Sequence, residues 1–148
     1  MKRSRKQEYG SIDIMLLTIS ILLALSISMQ VDGRRFKDGL TTKCLDNVVK
    51  PKVSKGSAHT NPCNGGSHQN WHWGKDHTIK NFATGQCLEA DGKTVYTMSC
   101  HGTKTSQKWR GDGAGSIINF ASKKCLKSSM KGLAFPQDCS IGRKAWLE

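Results

Sequence analysis

Six cysteines, five histidines and eleven acidic side chains are the groups from which this 148-residue chain could build chemistry. The cysteines fall as Cys44/Cys63, Cys87/Cys100 and Cys125/Cys139, separated by 19, 13 and 14 residues. A zinc site made of cysteine needs two short CxxC-type clusters, and the chain has none. Three in-phase pairs read instead as three disulfides, one per pair, formed in an oxidising compartment. That pairing leaves no odd thiol for catalysis. The histidines and acids form no Ser-His-Asp, no HExxH and no spaced acid pair. No enzyme, cofactor or metal is therefore expected.

The cysteines keep time with a repeat. Trp71, Trp109 and Trp146 follow the second cysteine of each pair, spaced by 38 and 37 residues. Phe36, Ile79 and Ile117 each stand eight residues before a first cysteine. Each first cysteine is followed by a leucine: Leu45, Leu88, Leu126. Thr78-Ile-Lys-Asn-Phe-Ala-Thr-Gly-Gln-Cys-Leu and Ser116-Ile-Ile-Asn-Phe-Ala-Ser-Lys-Lys-Cys-Leu match nearly end to end. Three units of about 40 residues follow, over residues 34–73, 77–112 and 115–148. Within a unit, short apolar stretches such as Val95–Met98 alternate with Gly, Asn, Asp and Lys turns. No helical stripe of ten residues appears after residue 29. The pattern predicts an all-β fold of twelve short strands, four per unit. One unit is too small to bury a core, so three must share one. The leucines and tryptophans are its expected layers. Gln69 and Gln107 are expected to hydrogen-bond within their units. Trp73 lies outside the repeat, as a surface contact or a local plug.

These residues resemble the ricin-type (ricin B-like) lectin β-trefoil, whose mark is Gln-x-Trp near the end of each unit. Gln69-Asn70-Trp71 and Gln107-Lys108-Trp109 carry it, whereas the third unit has Lys144-Ala145-Trp146. Cys63-Asn-Gly-Gly-Ser-His-Gln-Asn-Trp71 and Val95-Tyr-Thr-Met-Ser-Cys100 are similar to the units of actinohivin-like three-repeat lectins. That resemblance implies glycan binding, with mannose-type glycans as the suggested ligand. In such lectins a sugar is held by the acid after Cys-Leu, the tyrosine of Val-Tyr-Thr and the asparagine after the second cysteine. A carboxylate accepts from adjacent hydroxyls, an aromatic face takes the sugar's C–H side, and the pocket must be preformed.

The three units meet that recipe unequally. The first has Asp46 and Asn64, with His59 at the tyrosine position and His68 just before Gln69. The second keeps Tyr96, with Glu89 or nearby Asp91 as the acid and His101 in place of the asparagine. Alternation along a strand puts Tyr96 and Met98 on one face. The third has Lys127, Phe135 and Ser140. A lysine cannot accept from a hydroxyl, so that unit is expected to be dead for a neutral sugar.

The N-terminus reads as a targeting segment. Lys2, Arg3, Arg5 and Lys6 precede an almost purely apolar run of 14 residues, Ile14–Ile27, with Ser26 and Ser28 as a small-residue exit. This predicts a signal peptide over 1–28, a mature domain over 29–148 and a secreted protein. An uncleaved anchor is the rival, although a spanning helix needs about 20 apolar residues. The chain has no Asn-x-Ser/Thr acceptor.

The whole chain carries a formal charge of +12. A solvated surface accounts for this, and so does attraction to anionic glycans. Lys50, Lys52 and Lys55 cluster in the first unit, and Lys123, Lys124, Lys127 and Lys131 in the third. Nucleic acid is not an expected partner. Membranes enter only through surface glycans or an uncleaved anchor. Two functions remain: a secreted lectin for neutral or anionic glycans, or a cell-targeting or protein-interaction subunit of a toxin or other assembly.

Overall fold

The computed structural model describes residues 33–48, 54–140 and 146–147. The signal peptide expected over 1–28 and the third unit's Lys144-Ala145 lie outside them. Among the described residues twelve strands form, four in each unit. The first unit holds β1 (Lys37–Asp38), β2 (Cys44–Val48), β3 (Gly56–Asn61) and β4 (Trp71–Trp73). The second holds β5 (Ile79–Asn81), β6 (Cys87–Ala90), β7 (Val95–Met98) and β8 (Trp109–Gly111). The third holds β9 (Ile117–Asn119), β10 (Cys125–Ser128), β11 (Ala134–Gln137) and β12 (Trp146–Leu147).

In each unit the second and third strands form an antiparallel hairpin: β2–β3, β6–β7 and β10–β11. The outer strands join neighbouring units into a barrel. β4 pairs with β5, β8 with β9, and β12 with β1. The three seams share one register: Trp71 faces Asn81, Trp109 faces Asn119 and Trp146 faces Asp38. A six-stranded barrel with three hairpins, repeated about a pseudo-threefold axis, is the β-trefoil.

The core stacks in the predicted layers. Leu45, Leu88 and Leu126 are fully buried, with Trp71, Trp109 and Trp146 beside them. Phe36, Ile79 and Ile117 form a further ring. Trp73 is a plug: it packs on this core, its ring edge-on to Phe36 at 5.9 Å between centroids. Buried tryptophan needs a partner for its N–H. Trp71, Trp109 and Trp146 donate from Nε1 to the carbonyls of Leu45, Leu88 and Leu126, at 3.0, 2.9 and 2.8 Å.

The turn after each first strand is likewise shared. The side-chain oxygens of Asp38, Asn81 and Asn119 accept backbone N–H groups of Leu40, Thr84 and Ala121. Thr42, Gly85 and Lys123 then adopt φ of 59°, 67° and 60° and donate back to the carbonyls of Asp38, Asn81 and Asn119. Disulfides bind Cys44 to Cys63, Cys87 to Cys100 and Cys125 to Cys139, one per unit. Closing loops this short, each contributes roughly 2–4 kcal/mol.

Two glycines separate backbone strain from crowding. Gly92 (φ +90°) has open space where a Cβ would stand, whereas at Gly132 (φ +87°) a Cβ would lie 2.7 Å from the Thr60 carbonyl oxygen. Gly92→Ala is expected to cost about 1–2 kcal/mol through φ alone, and Gly132→Ala clearly more, because the Gly132 carbonyl is hydrogen-bonded to Thr60 and cannot retreat. Urea unfolding of both variants measures the difference; equal midpoints would remove the crowding at Thr60 as a cause.

Candidate functional site

Hairpin register brings the sequence-predicted groups together in pairs. Asp46 stands opposite His59, Glu89 opposite Tyr96, and Lys127 opposite Phe135. A short 3-10 turn then covers the acid: Ser67–Gln69 in the first unit and Thr105–Gln107 in the second. Both turns end in a fully buried glutamine. Gln69 Nε2 donates to Asp46 Oδ2 and to the Pro62 carbonyl, both at 3.0 Å, and its Oε1 accepts from Asn64 N at 2.9 Å. Gln107 Nε2 donates to Glu89 Oε2 and the Ser99 carbonyl at 2.9 Å, and its Oε1 accepts from His101 N at 2.8 Å. One amide thus fixes both the acid and the residue after the second cysteine.

In the first unit both bonds to Asp46 fall on one oxygen. Asn61 Nδ2 joins Gln69 at Oδ2, at 3.1 Å. Among the described residues nothing donates to Oδ1. The His68 ring donates from Nδ1 to the Asn47 carbonyl at 2.9 Å, which aims that imidazole. The His59 ring is bound through Nε2 to Ser57 Oγ. Asn64 spends its side-chain oxygen on Gly66 N at 2.8 Å, holding the Asn-Gly turn. His59 thus faces Asp46 across the hairpin, and Gln69 ties the acid from behind to the backbone of Asn64, with His68 one residue before it.

The second unit is closed. Glu89 is 2% exposed, and its Oε1 accepts from Tyr96 OH at 3.0 Å, Ser106 Oγ at 3.1 Å and Lys104 Nζ at 2.5 Å. Burial alone would raise its pKa. The bonds from Lys104, Gln107, Tyr96 and Ser106 together outweigh burial and hold the carboxyl below its usual range. Tyr96 is pushed up to about 12, by burial first and then by its bond to that carboxylate. Asp91 does not join this group. It builds the β6–β7 turn, accepting from Lys93 N, Thr94 N and Thr94 Oγ1 at 3.0, 2.8 and 2.9 Å. His101 is exposed, with its backbone pinned by Gln107.

Sequence reasoning missed Lys104 and Ser106. Counting back from the two glutamines, Lys104 corresponds to Gly66 and Ser106 to His68. Side-by-side units therefore carry the signal that only the second acid has a lysine over it. In the third unit Lys127 is 8% exposed, Phe135 is half-buried and Ser140 is exposed. Among the described residues no three His, Cys, Asp or Glu side chains are grouped as a metal site requires.

A glutamine-clamped acid facing an aromatic or imidazole ring, set on a pseudo-threefold trefoil, defines a lectin-type β-trefoil. The ricin-type beta-trefoil lectin domain matches residues 34–144, and the chain belongs to that family. A search of curated proteins finds no match. Among solved structures, the Vibrio vulnificus hemolysin/cytolysin β-trefoil lectin, with N-acetyl-D-lactosamine bound, aligns at TM-score 0.67 and 19% identity, covering 78% of this chain and 91% of that one. The hemolytic lectin CEL-III aligns at TM-score 0.66 and 27% identity, covering 80% of this chain and 32% of its own. The cytolethal distending toxin of Actinobacillus actinomycetemcomitans aligns at TM-score 0.64 and 16% identity, covering 80% and 91%.

The depressed pKa of Glu89 makes a pH prediction. A carboxyl held low by native partners stabilises the fold above its unfolded pKa, near 4.3, and loses that contribution as pH falls through the lower folded value. Glu89→Gln is expected to lower the urea midpoint at pH 6 and to flatten its decline on acidification below about pH 4.3. Parallel acid limbs for parent and variant would show that Glu89 carries no such linkage.

Proposed function

We propose that this chain is a secreted glycan-binding protein whose working pocket is that of the first unit. The observation that carries this reading is the state of Asp46. One carboxylate oxygen is locked by Gln69 and Asn61, and the other is left to accept a sugar hydroxyl beside His59, Asn64 and His68. Rigid presentation matters because a neutral sugar offers little energy to order a loose site. The second pocket enters as a reserve: Lys104 must leave Glu89 before hydroxyls can bind there. The third, built on Lys127, takes no neutral sugar.

The ligand class is a terminal sugar with adjacent hydroxyls. Mannose is suggested by the resemblance of the units, and N-acetyllactosamine by the sugar bound to the Vibrio trefoil. Export follows the reading of residues 1–28 as a cleaved signal. The second reading, a targeting subunit of an assembly, is favoured by one observation: two of three pockets are closed or altered. The toxin trefoil among the structural relatives fits it as well.

Calorimetric or NMR titration with mannose, galactose and N-acetyllactosamine tests the first reading. Asp46→Ala leaves a hydroxyl unpaired, costing about 1–3 kcal/mol, or roughly 5- to 150-fold in affinity. Lys104→Met is expected to add a second, weaker binding event by uncovering Glu89. If Asp46→Ala binds every sugar as the parent does, the first pocket is not the site and the assembly reading replaces it. Repeating the titration in high salt separates hydroxyl recognition, which persists, from attraction to anionic glycans, which fades.

Mass measurement of material exported from cells checks the other half of the proposal. A start near Met29 is expected. Full-length chain retained in membranes would overturn export as a cleaved protein.

A further inference from the structure

A cavity of about 1040 Å³ lies among the β2–β3, β6–β7 and β10–β11 hairpins; His59, Tyr96 and Phe135 stand on its wall, and the Asp46 carboxylate does not. Its deepest residues are threefold equivalents, each five positions before a second cysteine: Ala58, Val95 and Ala134. They are 2%, 5% and 6% exposed. Alanine at two of the three leaves space that larger side chains would fill. Val48 and Leu133 extend the apolar wall, and they remain 44% and 54% exposed. A contiguous apolar patch with a polar rim is the mark of a ligand-binding groove.

The rim is basic. Lys55 and Lys93 both line the cavity, and Lys55 Nζ sits 3.6 Å from the centroid of the Tyr96 ring. Among the described lining residues there is no Asp or Glu. The nearby acids are already committed: Asp91 to its own turn, where the backbone N–H groups of Thr94 and Lys93 chiefly hold its pKa down and Lys55 adds to them, and Glu89 to Lys104 and its hydroxyl partners. With no carboxylate to accept hydroxyls, the cavity lacks what a neutral sugar needs. An apolar interior beneath two ammonium groups suits a different occupant.

We infer that this cavity binds a free single-chain amphiphile with an anionic head, of which a long-chain carboxylate is the simplest case. The chain would lie against Ala58, Val95, Ala134 and Leu133. The head would meet Lys55 and Lys93. No covalent step is involved, and the site does not depend on the sugar reading.

The test uses dodecanoate below its micelle concentration, followed by calorimetry and by the NMR methyl signals of Ala58, Val95 and Ala134. One equivalent is expected to bind and to shift those methyls. Decanoate, two methylenes shorter, is expected to bind about 15-fold more weakly. Dodecanol, with no charge, and the variant Lys55→Glu/Lys93→Glu with dodecanoate are each expected to lose about tenfold or more. Both lysines are exposed, so the variant is expected to keep its fold, and an unchanged urea midpoint confirms it. Unmoved methyls, affinity independent of chain length, or full affinity in the charge-reversed variant would each overturn the inference. So would binding to phosphatidylglycerol vesicles without uptake of the monomer, which would point to attraction by the basic surface alone.

Discussion

Each unit depends on a single hydrogen bond, from the indole N–H of its tryptophan to the carbonyl of the leucine after its first cysteine. Both groups are buried, so neither can turn to water if the other is lost. The bond ties the last strand of a unit to its second strand and fixes how far along that strand the tryptophan lies. The glutamine two residues earlier is then carried to the acid after the leucine. Core register and site geometry are therefore one constraint. A tryptophan displaced by one residue would leave Gln69 or Gln107 short of its carboxylate and its two backbone partners.

This constraint explains what the sequence made legible. Cysteine pairs, Cys-Leu starts and tryptophans recur in phase because each sits at a place where symmetry forces the same packing. Period-2 alternation and turn residues then suffice to draw twelve strands. Asp46 with His59 and Glu89 with Tyr96 were readable through the resemblance of the units, and hairpin register is what pairs them. Asp91 was not: Asp-Gly-Lys-Thr is a turn in which the aspartate caps its own backbone, and that local demand outweighs its nearness to Tyr96. Lys104 was not readable either. A long flexible side chain reaches its partner through rotamers that no spacing rule encodes.

The units share a frame and differ in what the frame holds. The first acid has one oxygen engaged and the second has both, while the third position holds a lysine. None of these changes disturbs the tryptophan bond, which stays between 2.8 and 3.0 Å in all three. The position after Cys-Leu can therefore diverge without loss of the core register, because the tryptophan bond does not involve the side chain that stands there. Three copies allow one pocket to be kept while others take on a latch or a new charge.

The three barrel seams are alike in register but not in connectivity. β4 runs into β5 and β8 into β9 through short turns, whereas β12 meets β1 with no covalent link between them. In that antiparallel pair Lys37 lies opposite Leu147, while the chain just before it stays on the barrel, with Phe36 buried in the core and Arg34 bonded to Trp71. The same arrangement makes this seam the natural place for the barrel to breathe.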